Sequence, residues 1–578
     1  MQKNTLGLTI PAQTNNKPTV DLSLTAIEKW RSELQTADLG ETARNVFSML
    51  KSMNDTVIEP SSRFALLELI RPLSQIIYQS LKKHYINQTE PLSEQKLAIL
   101  DLSRTLQTEI LNGYKIIIED INMSSNSSLK TSVLLNAIYR AFKHFNNILA
   151  TYYQVYTEYP ENMWKEMHII YKFALTCKVA ETAITLDINE QKNKIEAATP
   201  YKHALFIAST SPYQWRQQEQ DILAIHAILW DEYISIRAFK ASDTSSNDLY
   251  FIPLNEDLPP FAANIQKNSI TESGFTLDLS KLTDYLKKYI KQPTAANPKE
   301  SAIAIYSLQK LINYLLTGTK RQLERFNIMG QVSVTFGFPS THYYINKKKN
   351  FKPESIGTNE VDGMGGEEIQ LGSGLDDPSE ADKTYKPDSA LYVCKLINIH
   401  GEGAGIAFQD HCFPPIQPGE IVAMAITLGE QSDLDETHWN IGTIRWLRHN
   451  RENKLLAGIE IMAPFAMAAA IQLMKDDKTI GYFQRAFLFQ NNNSNKVEFN
   501  VVTPIMQFET GKKVKIYSFY HNKAVETSLK EQLSINNNFK LFAINIDLPP
   551  NSATTKKSED KKDININTDP SNKLWKEL

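Results

Sequence analysis

The spacing of apolar residues changes partway along this 578-residue chain. From Ser23 to about Phe239 they recur every three or four residues, which is the period of a helix with one buried face. One such stripe consists of Leu134, Ile138, Ala141, Phe145, Ile148 and Tyr152. Beyond Gly318 the period falls to two, as on a half-buried strand, at Val332, Val334, Phe336 and Phe338. The change predicts a helical part followed by a β-rich part.

The chain is too long for a single hydrophobic core, so we predict a multidomain α + β protein with an all-α N-terminal domain. The predicted segments are a flexible leader over residues 1–22, a helical domain over 23–297, a β domain with a preceding helix over 298–475, a second small β-rich unit over 476–548 and a disordered tail over 549–578.

Several shorter stretches carry predictions of their own. Residues 346–388 are rich in Gly, Glu and Asp and nearly lack large apolar residues, so they predict a disordered insertion. Pro464 opens an Ala-rich stretch that predicts a helix ending near Met474. A strand is predicted near Leu249–Leu254 and a helix near Leu279–Ile290.

The bulk composition narrows the class of protein. A formal net charge of -3 gives no overall basic excess for binding a nucleic-acid polymer. Three scattered cysteines fit a reducing compartment, and no apolar run reaches the ~18 residues of a membrane span. Cys and His spacing predicts no metal site, and no motif for catalysis or for a cofactor stands out. We therefore expect a cytoplasmic protein that is not an enzyme.

Two motifs flank the predicted insertion. Arg321-Gln322-Leu323-Glu324-Arg325 precedes the first predicted strand, and Asn398-Ile399-His400-Gly401-Glu402-Gly403 follows the second. This order resembles the PilZ family, whose members carry Arg-x-x-x-Arg, a strand and then Asp/Asn-x-Ser-x-x-Gly. The resemblance covers about residues 320–475 and implies a six-stranded antiparallel β-barrel capped by a helix.

The resemblance also implies a ligand, the second messenger cyclic di-GMP. The positions that match the family's motifs, together with one further arginine beside a tryptophan, nominate Arg321, Arg325, Asn398, His400, Gly403 and Arg445. Their chemistry suits this ligand, because a guanidinium fork matches both phosphate oxygens and the O6/N7 edge of guanine. Glycine lets the backbone approach a ligand closely.

The motif departs from the family pattern at two positions. Asn398 stands where Asp is commoner, and His400 stands where the family has Ser. Two functions therefore stay open. One is a cyclic di-GMP receptor whose helical domain passes the signal to an unknown protein partner. The alternative is an adaptor that uses the same barrel to bind proteins without the nucleotide.

Overall fold

The computed structural model describes residues 5–15, 20–34, 38–87, 92–124, 131–188, 191–264, 270, 274–291, 305–317, 330–353, 356, 391–400, 403–409, 416–427, 439–450, 452, 454–476, 478–491, 498–505, 507–536 and 538–546. The chain divides into two compact units, Met1–Arg321 and Gln322–Leu578. The predicted disordered tail lies outside the described residues, as do parts of the predicted leader and most of the predicted insertion.

The first unit is mainly helical. Its helices are α1 (Leu24–Glu33), α2 (Leu39–Asn54), α3 (Pro60–Lys82), α4 (Glu94–Met123), α5 (Thr131–Gln154), α6 (Met163–Thr176), α7 (Thr199–Ser209), α8 (Gln217–Leu229), α9 (Ser280–Lys291) and α10 (Ile305–Thr317). The apolar stripe that predicted α5 faces the core, where Ile138, Ala141 and Phe145 are at most 1% exposed. Side-chain caps begin several helices, as at Ser23 and Asp38, which accept hydrogen bonds from first-turn amides.

This unit also contains short strands beside the helices. They are β1 (Ala183–Ile188), β2 (Gln191–Glu196), β3 (Ser235–Ala238), β4 (Leu249–Ile252), β5 (Phe261–Ala262) and β6 (Phe275–Asp278). β1 pairs with β2, and the other four form a sheet in the order β3-β6-β4-β5. The predicted strand near Leu249–Leu254 is β4, and the predicted helix near Leu279–Ile290 is α9.

Residues 5–15, here called the strap, do not behave as the flexible leader that we predicted. Leu8 is only 7% exposed, and the backbone amides of Leu6 and Thr9 donate to Glu119 and Glu166 on α4 and α6. The strap forms no helix or strand of its own, and the alternation of Leu6, Leu8 and Ile10 is too short to predict one. Side chains from the helices satisfy its backbone instead.

The second unit contains a closed barrel, as predicted. Its strands are β7 (Gly330–Phe336), β8 (Tyr392–His400), β9 (Gly403–Phe408), β10 (Ile421–Thr427), β11 (Asn440–His449) and β12 (Leu455–Ala463). They close in the order β10-β11-β12-β9-β8-β7, and every pairing is antiparallel. Val332, Val334 and Phe336 are buried, and so are Ser333 and Thr335 between them, so β7 is covered on both faces. Burial raises the pKa of the Cys394 thiol on β8 to about 12, so this cysteine is an inert core residue.

A seven-stranded sheet follows the barrel. It contains β13 (Met467–Lys475), β14 (Lys478–Asn491), β15 (Glu498–Pro504), β16 (Lys513–Ser518), β17 (Lys523–Ser528), β18 (Glu531–Ile535) and β19 (Phe539–Ile544). Their order across the sheet is β17-β16-β13-β14-β15-β19-β18. The helix α11 (Phe338–Ile345) contacts β7 and β10 of the barrel and β13 and β14 of this sheet.

The predicted Ala-rich helix is wrong, because that stretch forms the strand β13. Residues Met467 to Ile471 are all buried, at 3% exposure or less. Both faces of this central strand are covered, so it shows none of the alternation that marks a half-buried strand. β13 pairs with β14, so the predicted boundary between residues 475 and 476 falls inside a hairpin.

Candidate functional site

Four residues lie side by side across neighbouring strands of the barrel and are called the outer row. Asn398 on β8 pairs with Gly405 on β9, Gly405 pairs with Gly458 on β12, and Gly458 pairs with Trp446 on β11. Residues on either side of the two glycines are buried in the barrel, namely Ala404, Ile406, Ala457 and Ile459. Because side chains alternate along a strand, Gly405 and Gly458 face outward.

The two glycines form a floor that neighbouring side chains cover. A Cβ at Gly405 would lie 2.9 Å from Oδ1 of Asn398. A Cβ at Gly458 would overlap the indole ring of Trp446, with Nε1 as the nearest atom. The amide of Asn398 and the ring of Trp446 thus lie over opposite ends of a strip that has no side chains of its own.

Two β-bulges place candidate site residues outside the barrel. On β11 the register shifts between Ile444 and Trp446, and Ile444 and Leu447 are both buried although they are three residues apart. Arg445 and Trp446, which stand between them, are therefore both outside the barrel core. On β8 a shift between Leu396 and Asn398 has the same effect. Bulges of this kind commonly re-aim side chains near functional sites.

Arg445 forms an exposed ion pair beside the outer row. Its Nη1 lies 3.3 Å from Oε2 of Glu460 on β12, and the two side chains are 45% and 52% exposed. An ion pair so exposed to water contributes only ~0–1 kcal/mol to stability. Arg445 is therefore able to exchange Glu460 for a phosphate group.

Asn398 carries an unused acceptor. Its Oδ1 is buried and has no hydrogen-bond partner within the described part of the chain. Buried polar atoms in folded proteins nearly always have a partner, so this unpaired acceptor fits a site whose donor comes from a ligand.

The structure brings together part of the predicted site. Asn398 and Gly403 lie on the paired strands β8 and β9, and Arg445 lies on β11, which β12 separates from β9. Gly403 pairs with both His400 and Glu460. The backbone of His400 ends β8, but its side chain lies outside the described residues, and so do Arg321 and Arg325. The outer row adds Gly405, Gly458 and Trp446. Gly458 and Trp446 gave no signal in the sequence, because Gly458 meets Gly405 only in the folded barrel and a bulge turns Trp446 outward.

Other kinds of site find no support in the described ranges. No three His, Cys, Asp or Glu side chains come together there as metal ligands. None of the helices that the structure describes is both long and apolar enough to cross a bilayer.

Comparisons with known proteins cover both halves of the chain. Residues 25–241 match the family model described as the N-terminal domain of the cyclic-di-GMP receptor FimW. Residues 249–363 and 355–467 match the model described as the middle PilZ domain of the same receptor. The chain is 24% identical to the cyclic-di-GMP receptor FimW of Pseudomonas aeruginosa over 591 aligned residues, which covers 95% of each protein. No solved structure matches the chain.

Proposed function

This chain carries a PilZ domain behind a helical N-terminal domain, and from this we propose that it is a receptor for cyclic di-GMP. We place the nucleotide on the outer row of the barrel and on the Arg321–Arg325 segment. The observation that carries the proposal is the outer row itself, in which the unpaired acceptor of Asn398 and the indole of Trp446 lie over two glycines.

The outer row suits a guanine base. The open Oδ1 of Asn398 accepts from the N–H groups on the Watson–Crick edge of guanine. The indole of Trp446 offers a stacking surface, and stacking of a base on an aromatic ring contributes ~1–3 kcal/mol. Gly405 and Gly458 leave the space that the Asn398 amide and the Trp446 indole occupy, so these two groups rather than the glycines would meet the base.

The arginines suit the phosphates. Arg445 forms an exposed ion pair with Glu460, so a phosphate can displace the carboxylate. Arg321 and Arg325 would supply two more guanidinium forks, as the family motif implies. The proposed activity is binding rather than catalysis, and no cofactor takes part in it. A receptor for this messenger would act in the cytoplasm.

A short connection joins the arginine segment to the helical unit. Arg321 follows closely after Thr317, the last residue of α10. Lys310 on α10 lies 4.1 Å from the ring centroid of Trp215 and donates to the carbonyl of Gln214 at 2.9 Å. The Tyr250 hydroxyl donates to the carbonyl of Leu315 at 3.1 Å. We propose that ordering of the segment by the nucleotide acts on α10, and through it on a protein partner of the helical unit.

A calorimetric titration with cyclic di-GMP tests the receptor proposal. Arg321→Ala and Arg325→Ala should each weaken binding about tenfold or more, because a hydrogen bond to a charged group contributes ~1.5–3 kcal/mol. Arg448→Ala is the matched control, since Arg448 is another exposed arginine on β11. Near-normal affinity in both segment variants would remove the segment from the site. Failure of the unmodified chain to bind would favour the adaptor function.

A further inference from the structure

Side chains of the helical unit hold the strap by hydrogen bonds to its backbone. Glu119 Oε1 accepts from the Leu6 amide and Glu166 Oε1 accepts from the Thr9 amide, both at 2.7 Å. Lys115 Nζ donates to the Thr9 carbonyl. Backbone groups are common to every peptide, so these contacts recognise an extended chain rather than one particular sequence.

The surface beneath the strap, here called the groove, includes Lys115, Glu119 and Glu166. The side chains of the strap alternate between the groove and the solvent. Leu8 is 7% exposed, and Leu6 and Ile10 pack partly against the same helical core. Thr5, Gly7 and Thr9 are exposed. Farther along, Gln13 accepts a 2.8 Å hydrogen bond from Arg63, and Thr14 forms a bridge with Thr56. The groove therefore selects apolar residues at alternate positions.

The floor of this groove is charged although it is buried. Lys115 and Glu166 lie 2.9 Å apart, with side chains only 6% and 8% exposed. Burying such a pair costs desolvation that apolar residues of the same size would avoid. The strap gives each member of the pair one more hydrogen bond, because Glu166 accepts from the Thr9 amide and Lys115 donates to the Thr9 carbonyl. When the groove is empty, water can replace those contacts, which an apolar floor would not allow.

We propose that this groove is a binding site for extended peptides with apolar residues at alternate positions, and that the strap is its exchangeable occupant. A partner protein would bind by presenting a segment of the same pattern, which displaces the strap. The proposal concerns the helical unit alone and does not depend on cyclic di-GMP binding.

Cutting the strap from the folded full chain tests this proposal. A protease site in place of residues 16–19 allows cleavage after folding, and a fluorescent peptide of residues 5–15 is then added. We expect fluorescence polarisation to show that the labelled peptide replaces the cut strap. Unlabelled peptide should compete with it, and a Leu8→Asp peptide should compete about tenfold or more weakly. An Ala12→Ser peptide, changed at an exposed position, should compete normally.

A change in the groove provides a second readout. Lys115→Met removes the donor to the Thr9 carbonyl, and the cut chain carrying it should bind the labelled peptide about tenfold more weakly. Two results would overturn the proposal. One is a cut strap that never exchanges, or whose departure unfolds the helical unit by circular dichroism. The other is equal competition by the Leu8→Asp and unchanged peptides.

Discussion

Gly458 shows at the scale of a single residue how the barrel makes room for Trp446. Any side chain at this position would occupy the space of the indole ring. Gly330 on β7 provides the comparison, because a Cβ there would meet nothing within 4 Å. Both positions are glycines of the barrel, and they differ in whether a neighbouring side chain occupies the space that a Cβ would need.

Gly458→Ala should therefore lower the free energy of unfolding by ~1–3 kcal/mol, as overpacking does, while Gly330→Ala should leave it nearly unchanged. If a guanine stacks on Trp446, the same substitution should weaken cyclic di-GMP binding about tenfold. Urea unfolding and calorimetric titration of both variants measure these effects. Equal stability of the two variants would show that Trp446 has another favourable position.

His342 on α11 is a buried histidine whose titration is linked to the folding of the second unit. It is 0% exposed, its Nε2 donates to the Ala469 carbonyl at 3.0 Å, and its ring contacts Phe351, Phe487 and Phe519. Burial lowers the pKa of His342 from 6.5 to about 4. Its Nδ1 has no hydrogen-bond partner among the described residues, so a second proton there would find no acceptor.

This pKa predicts a loss of stability in acid. Between pH 6.5 and about 4 the unfolded chain takes up a proton that the folded chain does not, so stability falls as the pH falls through that range. The total loss from this residue is at most ~3 kcal/mol. His342→Gln keeps a donor for Ala469 but does not titrate. Urea unfolding at pH 7 and pH 5 should show a weaker pH dependence in His342→Gln, and identical pH dependence in both proteins would contradict the prediction.

The candidate site could be predicted from the sequence only where a motif marked it. Asn398 and Gly403 came from the family motif, and Arg445 from its position beside an aromatic residue. Trp446 gave no signal as a site residue, because the bulge that turns it outward is invisible to a period of two. Gly405 and Gly458 acquire their role only when strands distant in sequence become neighbours.

At the scale of elements, prediction succeeded where apolar residues recur with a regular period. The strands β7 and β8 and the helix α5 show a clear period. The prediction for β13 failed because its buried residues are apolar on both faces, which leaves no period. The prediction for the strap failed because charged side chains on other elements hold it in place. α10 was predicted as a helix of the barrel domain, but the contacts given above are with the first unit. The extents of the domains otherwise stay predictions.

Phe351 shows that the beginning of the predicted insertion is structural. It is 7% exposed, its ring centroid lies 5.2 Å from that of His342, and the guanidinium of Arg485 lies 5.0 Å from its ring centroid. The predicted disorder from residue 346 is therefore wrong for these first residues. A single aromatic residue in a polar stretch was too weak a signal for sequence reasoning.

Two deletions separate the structural residues from the remainder. Removing residues 357–388 should leave the stability of the second unit nearly unchanged, because loop-closure cost depends weakly on length. Removing 351–388 should cost ~3–5 kcal/mol, comparable with truncation of a buried Phe. Phe351→Ala within the shorter deletion is the matched variant and should resemble the longer deletion. Thermal and urea unfolding compare the three, and equal stability of all three would assign Phe351 no structural role.

At the scale of the whole molecule, the proposed signal must pass through α10. The helix is fastened to the first unit by Lys310, Tyr314 and Leu315, and it stands immediately before the arginine segment. A ligand that orders this segment should restrict the last turn of α10. Elements fastened elsewhere in the first unit, such as α2, should respond less.

Hydrogen exchange tests this route. Cyclic di-GMP should slow amide exchange in α10 in the unmodified chain and leave it unchanged in Arg321→Ala, because the variant lacks the proposed clamp. α2 serves as the internal control in both proteins. Binding of the nucleotide without any change in α10 would contradict coupling through this helix and leave the receptor function intact.

The closure of the barrel has a consequence for how such chains evolve. β7 pairs with β8 across residues 337–391, a long excursion of the chain between two neighbouring strands of the barrel. Doubling a flexible loop raises its closure cost by only ~0.6 kcal/mol. The match to the middle PilZ domain is split within this excursion, between residues 355 and 363. Natural selection could therefore lengthen, shorten or replace residues 357–388 at little cost to the barrel, and new peptide sequences could arise there while the nucleotide site stays intact.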